Sequence, residues 1–127
     1  MNQAAEGTRY PDVRFQVDPA QVAAFRNVFG ISSGIPVTFL TLAEFAVFPE
    51  VIGDPNLALD FSRVVHGGQE YEYRRPLVEG ETLIVRTHIE SIREKGGTGF
   101  LTLATELVDV DGHIAATARS TMIERAG

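Results

Sequence analysis

Between Pro36 and Pro49 the chain reads Val-Thr-Phe-Leu-Thr-Leu-Ala-Glu-Phe-Ala-Val-Phe. Proline is a good first helical residue and pushes the residue before it out of the α region, so Ile35 stays outside and a helix starts at Pro36. The spacing predicts a helix over Val37–Phe48, with Pro49 beyond its end. It is apolar almost all round, and such a helix is buried on nearly every side. The apolar stretch from Ile35 to Phe48 is too short to cross a bilayer, which needs about 20 residues. Something else in the chain has to wrap it.

The rest of the sequence supplies that cover. Val64–Arg74, Thr82–Arg93, Gly99–Asp109 and His113–Glu124 are predicted strands. In the second, Leu83, Val85, Thr87 and Ile89 take one face, and Arg86, His88 and Glu90 the other. In the third, Leu101, Leu103, Thr105 and Leu107 face one way. The connections Val78-Glu79-Gly80, Lys95-Gly96-Gly97 and Asp109-Val110-Asp111-Gly112 carry turn chemistry and predict an antiparallel meander. Ahead of these, residues 1–12 read as a polar leader and Val13–Val17 as a short strand. Asp18-Pro19 is an N-cap followed by a first helical residue. It opens a helix over Pro19–Phe29 whose Val22, Phe25, Val28 and Phe29 fall at helical spacing, and Gly30 ends it. Glu50–Arg63 reads as loop.

The 127 residues make one domain, at roughly 150 residues per domain, here 13–127 behind the leader. Hydrophobic content of 44% and charged content of 22% are those of an ordinary globular chain. With no cysteine there is no disulfide framework, thiolate metal site or cysteine nucleophile. A net charge of −6, with ten Arg and one Lys scattered, argues against nucleic acid as a partner. The leader has no apolar core of a secretory signal, so a cytoplasmic protein is expected, with no membrane partner. A single apolar sheet face and an all-apolar helix are reconciled if the sheet curls around the helix. The predicted class is therefore α+β with a hotdog fold. An outer helix side that is also apolar needs a second cover, so a dimer with itself or with a second hotdog chain is expected.

The segment Val64–Leu83, VVHGGQEYEYRRPLVEGETL, resembles the N-terminal half-domain of MaoC-like dehydratases and (R)-specific enoyl-thioester hydratases. The matching positions are His66, Gly67, Gln69, Tyr71, Tyr73, Pro76, Leu77, Gly80, Glu81 and Leu83. The resemblance continues through Ile89–Glu94 and Gly97-Thr98-Gly99 to Glu106. Val37-Thr38-Phe39-Leu40 after Pro36 is similar to the start of the family's central helix. The resemblance implies acyl thioesters of coenzyme A or acyl carrier protein as ligands, with no cofactor. It also implies a thioester carbonyl polarised by backbone N–H groups at the helix start, where the macrodipole is positive. Catalytic members carry Asp-x-Asn-Pro-x-His, whose His and Asp handle the proton and orient the water. The residues five before His66, His88 and His113 are Phe61, Leu83 and Val108, so no such pair stands here. The loop that should hold it is only Gly30–Ile35. The resemblance thus implies a subunit whose acid–base pair is brought by a partner or is lacking.

Several residues are candidates, each with a plainer alternative. Glu44 lies within the apolar helix, where desolvation raises a carboxyl pKa and suits a general base; the alternative is an interface or ion-paired residue. His66 is suited to proton transfer near neutral pH, or to packing. Gln69 is placed to hydrogen-bond a thioester or a neighbouring loop. Gly34 allows a close approach to the helix start, or serves a turn; Val37 and Thr38 follow it there. Arg74 and Arg75, with Arg93 and Lys95, are candidates for coenzyme A phosphates or an acidic carrier surface, or are solvated. His88 falls on the polar sheet face and His113 in a turn, and the three histidines give no metal signal. Ser32 and Ser33 lack the context of a nucleophile.

Three functions follow as expectations. The first is a hydratase or dehydratase subunit acting on 3-hydroxyacyl or enoyl thioesters. The second is a hotdog acyl thioesterase using Glu44. The third is a non-catalytic acyl-binding or structural hotdog subunit.

Overall fold

A computed structural model describes residues 1–127. Five antiparallel strands form one sheet: β1 (Val13–Gln16), β2 (Val64–Tyr73), β3 (Thr82–Lys95), β4 (Thr98–Val108) and β5 (Ile114–Glu124), in the order β1-β3-β4-β5-β2. Helix α1 (Pro19–Phe29) and the short helices α2 (Thr41–Phe45) and α3 (Phe48–Ile52) complete it.

The alternation in β3 and β4 is realised as expected. Leu83, Val85, Thr87 and Ile89 are buried with Leu101, Leu103, Thr105 and Leu107, while Arg86 and Glu90 are exposed. A bulge between Ile89 and Ser91 then resets the parity, and Ile92 returns to the buried face. Buried within the same face, the Thr87 and Thr105 hydroxyls hydrogen-bond each other at 2.9 Å.

Only β3-β4-β5 is a meander. The Val78-Glu79-Gly80 connection does not make a hairpin, because β2 pairs with β5 and lies three strands away from β3. Residues 74–81 span the sheet end instead. Eight extended residues reach about 26 Å, ample for three strand spacings of about 4.8 Å. Arg75 anchors this crossing, bonding Glu81 through two nitrogens at 3.0 and 2.7 Å and Asp109 at 3.3 Å.

The single long helix over Val37–Phe48 is not there. It is replaced by a 3-10 turn (Val37–Leu40), then α2, then α3, with Pro49 in the first turn of α3 rather than beyond a helix end. The cause is Pro49 itself. It has no N–H for the Phe45 carbonyl and its ring would clash there, so the helix stops at Phe45 and restarts at Phe48. One side of the broken segment is buried: Phe39, Leu40, Ala43, Val47 and Val51 join Leu83, Val85, Leu101, Leu103 and Leu107 in one core. Val37 and Phe45 stand more than half exposed, so the segment is not apolar-buried all round.

Asp18 caps α1 by accepting the Ala20 N–H at 2.9 Å, and Gly30 closes it in the left-handed conformation. Val22 is buried and Phe25 meets Phe39 edge-on at 5.6 Å, but Val28 and Phe29, expected on the same face, are exposed. Residues 1–12 do not hang free as a leader. They run along β3, with Gly7 and Tyr10 donating to the Ile89 and Thr87 carbonyls and Ala5 and Tyr10 buried. No helix is long and apolar enough to cross a membrane.

Candidate functional site

Three side chains on one face of β2 meet the broken helical segment in succession. Tyr73 donates to the Val37 carbonyl at 2.5 Å, Tyr71 bonds the Thr41 hydroxyl, and Gln69 Nε2 donates to Glu44 Oε2 at 3.1 Å. Strand residues two apart share a face, and helical residues three to four apart share one too, so the two periods run in step. This ladder fixes α2 against β2. Tyr71 and Tyr73 entered the sequence reading only as motif positions. Their period of two was the signal that could have marked them as positioning residues.

The same motif contains a bulge. His66 pairs with Met122 and Gly68 with Thr121, leaving Gly67 as the extra residue. His66 and Gln69 are three apart and would otherwise point to opposite faces. With one residue bulged out, both turn toward the helix, opposite Met122 and Ser120. A Cβ on Gly67 would come within 2.5 Å of Ile123 Cδ1, which gives that glycine a steric reason.

Together these elements enclose a cavity of about 240 Å³ lined by Thr41, Glu44, Gln69, His66 and Ser120 on its polar parts and by Phe45, Phe48, Phe61, Val64 and Met122 on its apolar ones. Glu44, His66 and Gln69, singled out separately in the sequence, therefore converge. Glu44 is only 3% exposed. Burial pushes its carboxyl up to about 7, tempered by Gln69 and by the nearby Tyr71 hydroxyl. Its Oε1 is buried with no hydrogen-bond partner. His66 Nε2 lies 3.2 Å from the Ser120 hydroxyl. A carboxyl with a pKa near neutrality, in an apolar pocket shared with an imidazole, is equipped to give and take a proton.

The other candidates gather elsewhere. Gly34, Val37, Arg74 and Arg75 line an open groove with Tyr73 and Arg26. Gly34 has φ of 79° and its carbonyl accepts from Arg26 at 3.0 Å. Its added Cβ would meet nothing within 4 Å, so the left-handed turn, not crowding, calls for glycine. Thr38 is exposed and lines neither the groove nor the cavity. The helix start is one 3-10 turn, too short for the macrodipole of a long helix. Arg75 is committed to Glu81 and Asp109, whereas the Arg74 side chain is exposed. Arg93 and Lys95 are interleaved with Glu90 and Glu94 beside a shallow outer depression. His88 pairs as part of an edge bridge with Arg9. His113 does stand near carboxylates, Asp109 and Asp111, with donor atoms within 4.8 Å. Asp109 already accepts from the Asp111 and His113 N–H groups and from Arg75, so this is a closed turn motif.

The architecture and its relatives agree. The five-stranded sheet around a helical plug is a hotdog fold. It superposes with a TM-score of 0.80 at 20% identity on a chain of the HadBC (3R-hydroxyacyl-ACP dehydratase) complex of Mycobacterium tuberculosis, covering 94% of this chain and 96% of that one. A MaoC-like dehydratase gives a TM-score of 0.85 at 20% identity, covering 98% of this chain but 43% of the other. Residues 5–118 match the family model described as FAS1-like, dehydratase domain region, and the chain belongs to that family. A UPF0336 protein of Saccharopolyspora erythraea is 39% identical over 108 residues, which cover 85% of this chain and 66% of that protein. The chain thus spans about two thirds of that relative's length.

Proposed function

We propose that this chain is a subunit of an acyl-thioester hydratase or dehydratase, acting on 3-hydroxyacyl or enoyl groups carried by coenzyme A or acyl carrier protein, beside a second hotdog chain that brings the Asp/His pair. The observation that carries the reading is the half-exposed aromatic edge of the Glu44 cavity. Phe45 and Phe61 are 52% and 53% exposed at its mouth, and apolar side chains grouped around an opening favour a covering partner. Family membership and the absence of an Asp-x-Asn-Pro-x-His motif from these residues support a divided site. The likeness to a chain of a two-component dehydratase complex supports the same arrangement.

The test is hydration of crotonyl-coenzyme A by the chain alone and mixed with a hotdog chain that carries Asp-x-Asn-Pro-x-His. Turnover that needs both supports the proposal; turnover by neither the chain nor any such mixture overturns it.

A second reading rests on Glu44. Its unpartnered oxygen and near-neutral pKa favour a general base for thioester hydrolysis by this chain alone. Hydrolysis of an acyl-coenzyme A that disappears in Glu44→Gln supports it. A chain that binds acyl thioesters and turns over none, in any pairing, is the acyl-binding subunit.

A further inference from the structure

Helix α2 is interrupted at both ends. A 3-10 turn precedes Thr41–Phe45, and the turn residues Ala46 and Val47 separate it from α3. Those two residues bond back only three positions, to the Ala43 and Glu44 carbonyls. So short a helix gains little from its own turns and depends on what it packs against. Ala43 and Val47 reach the core, while Phe45 and Ala46 are exposed. Toward β2 it is tied by Tyr71 to Thr41 and by Gln69 to Glu44, with Tyr73 holding the turn before it. Burial holds both tyrosine hydroxyls above their ordinary range, so the Gln69–Glu44 tie is the one with a group that ionises near neutrality. Glu44 is buried, and its Oε1 has no partner. The groups packed around it are Tyr71 and His66 of β2, Ser120 and Met122 of β5, Phe48 of α3 and Phe61. No cation reaches it: Arg119 gives its guanidinium to Glu90, and Arg63 is bonded to Asp60. A proton on Oε1 leaves Oε2 as the acceptor for Gln69. A buried carboxylate with one amide donor and no cation is costly.

We propose that α2 is a pH-gated door on the cavity between itself and β2, latched by Gln69 while Glu44 carries its proton and swinging away from β2 when Glu44 ionises. The hinges are the two interruptions, the 3-10 turn over Val37–Leu40 and the turn at Ala46 and Val47. Opening brings water to both carboxylate oxygens, which removes the cost of the buried charge. It also widens the way to His66 on the cavity wall. The sign follows from linkage. In the open form the carboxyl titrates near its ordinary 4.5, and in the closed form burial holds it at about 7. Between these values each pH unit favours the open form up to tenfold, and above them the gain levels off. The door operates whichever ligand the cavity takes, so it stands apart from the acyl-thioester reading.

The experiment is native-state amide exchange of the full chain by NMR at about pH 5.5 and about pH 6.5, inside that window, with intrinsic exchange rates divided out, and with and without a little urea. The Ala46 and Val47 amides report the door, and Leu103 in the central strand β4 reports global unfolding. Ala46 and Val47 are expected to be at least about tenfold less protected than Leu103 and insensitive to urea, as for a local opening. Their protection is expected to fall about tenfold from the lower pH to the higher. Glu44→Gln, which cannot ionise, is expected to abolish that fall. Gln69→Leu, which removes the latch, is expected to lower their protection at both pH values. Protection equal to that of Leu103, or with the same urea dependence, makes the opening global and overturns the inference. So does protection that does not change with pH, a fall that persists in Glu44→Gln, or unaltered protection in Gln69→Leu. Should Glu44→Gln not fold, the urea and pH dependence of the wild type decide.

Discussion

Gln69 Nε2 donates to Glu44 Oε2 at 3.1 Å, and the other oxygen of the same carboxylate is buried without a partner. One half of the group is held by the amide, and the other half is buried without a partner. That asymmetry makes Glu44 the most informative position for mutation.

The first prediction concerns pH. Burial raises the Glu44 carboxyl from 4.5 to about 7 in the fold. Between those values the unfolded chain has lost the proton that the folded chain still holds, so this group's contribution to stability falls as pH rises through that window. The full effect is on the order of 3 kcal/mol, from ~1.4 kcal/mol per pKa unit. Glu44→Gln cannot ionise and lacks this slope. Urea midpoints of wild type and variant at pH 5 and pH 8 check it: the variant's advantage should be larger at pH 8. A difference that does not change with pH refutes the assigned burial effect.

The bulge at Gly67 carries the second. A Cβ there meets Ile123 Cδ1 at 2.5 Å and Cγ1 at 2.9 Å. Gly67→Ala should cost about 1–2 kcal/mol, because the side-chain end of Ile123 has to move. It should also disturb the His66–Ser120 contact. Pairing it with Ile123→Ala should recover much of the bulge geometry, visible in the His66 ring resonances, although the Ile123 truncation carries a cost of its own.

Thr87 and Thr105 provide the third. Their hydroxyls pair in the core at 2.9 Å. Thr87→Val strands the Thr105 hydroxyl and should destabilise by about 1–3 kcal/mol, and the double variant with Thr105→Val should recover part of that loss. Chemical denaturation of the four proteins of the cycle measures the coupling.

Arg74 and Arg75 are neighbours in sequence with opposite fates. Arg75 bridges Glu81 and Asp109 and draws the Glu81 carboxyl below its ordinary range. Arg75→Ala should lower stability by about 1 kcal/mol. Arg74→Ala should leave the melting temperature alone and weaken binding of a coenzyme A thioester relative to its pantetheine analogue. Equal effects of both changes on stability and binding would contradict the assignment.

The last prediction is at the exposed edge. Phe45→Ser should lower monomer stability by about 1–2 kcal/mol, because half of its ring is buried and it packs on Phe48 at 5.1 Å, and should in addition reduce association with a second hotdog chain, read by sedimentation. Unaltered association would place the partner's contact elsewhere.

Much of the fold was legible locally. Leu83, Val85, Thr87 and Ile89 alternate with polar residues, and alternation is a property of neighbours two apart, so β3 and β4 could be read directly. The Asp18-Pro19 cap and Gly30 stop of α1 were equally local. The family followed from the motif running from His66 to Leu83. Glu44, His66 and Gln69 could be singled out by residue type. Their meeting could not, because it depends on the one-residue bulge at Gly67 and on the tyrosine ladder to α2.

What the sequence by itself determined is where chain segments alternate, cap and turn, since those signals are written in adjacent residues. The tertiary structure alone decided that β2 crosses to the far side of β5 and that residues 1–12 line the edge of β3. It also decided that Arg75 is consumed by two carboxylates while Glu44 keeps a free oxygen. The reason is common to all of these: each depends on which groups from distant parts of the chain compete for the same hydrogen bonds and the same buried space, and that competition exists only once the sheet has closed on its plug.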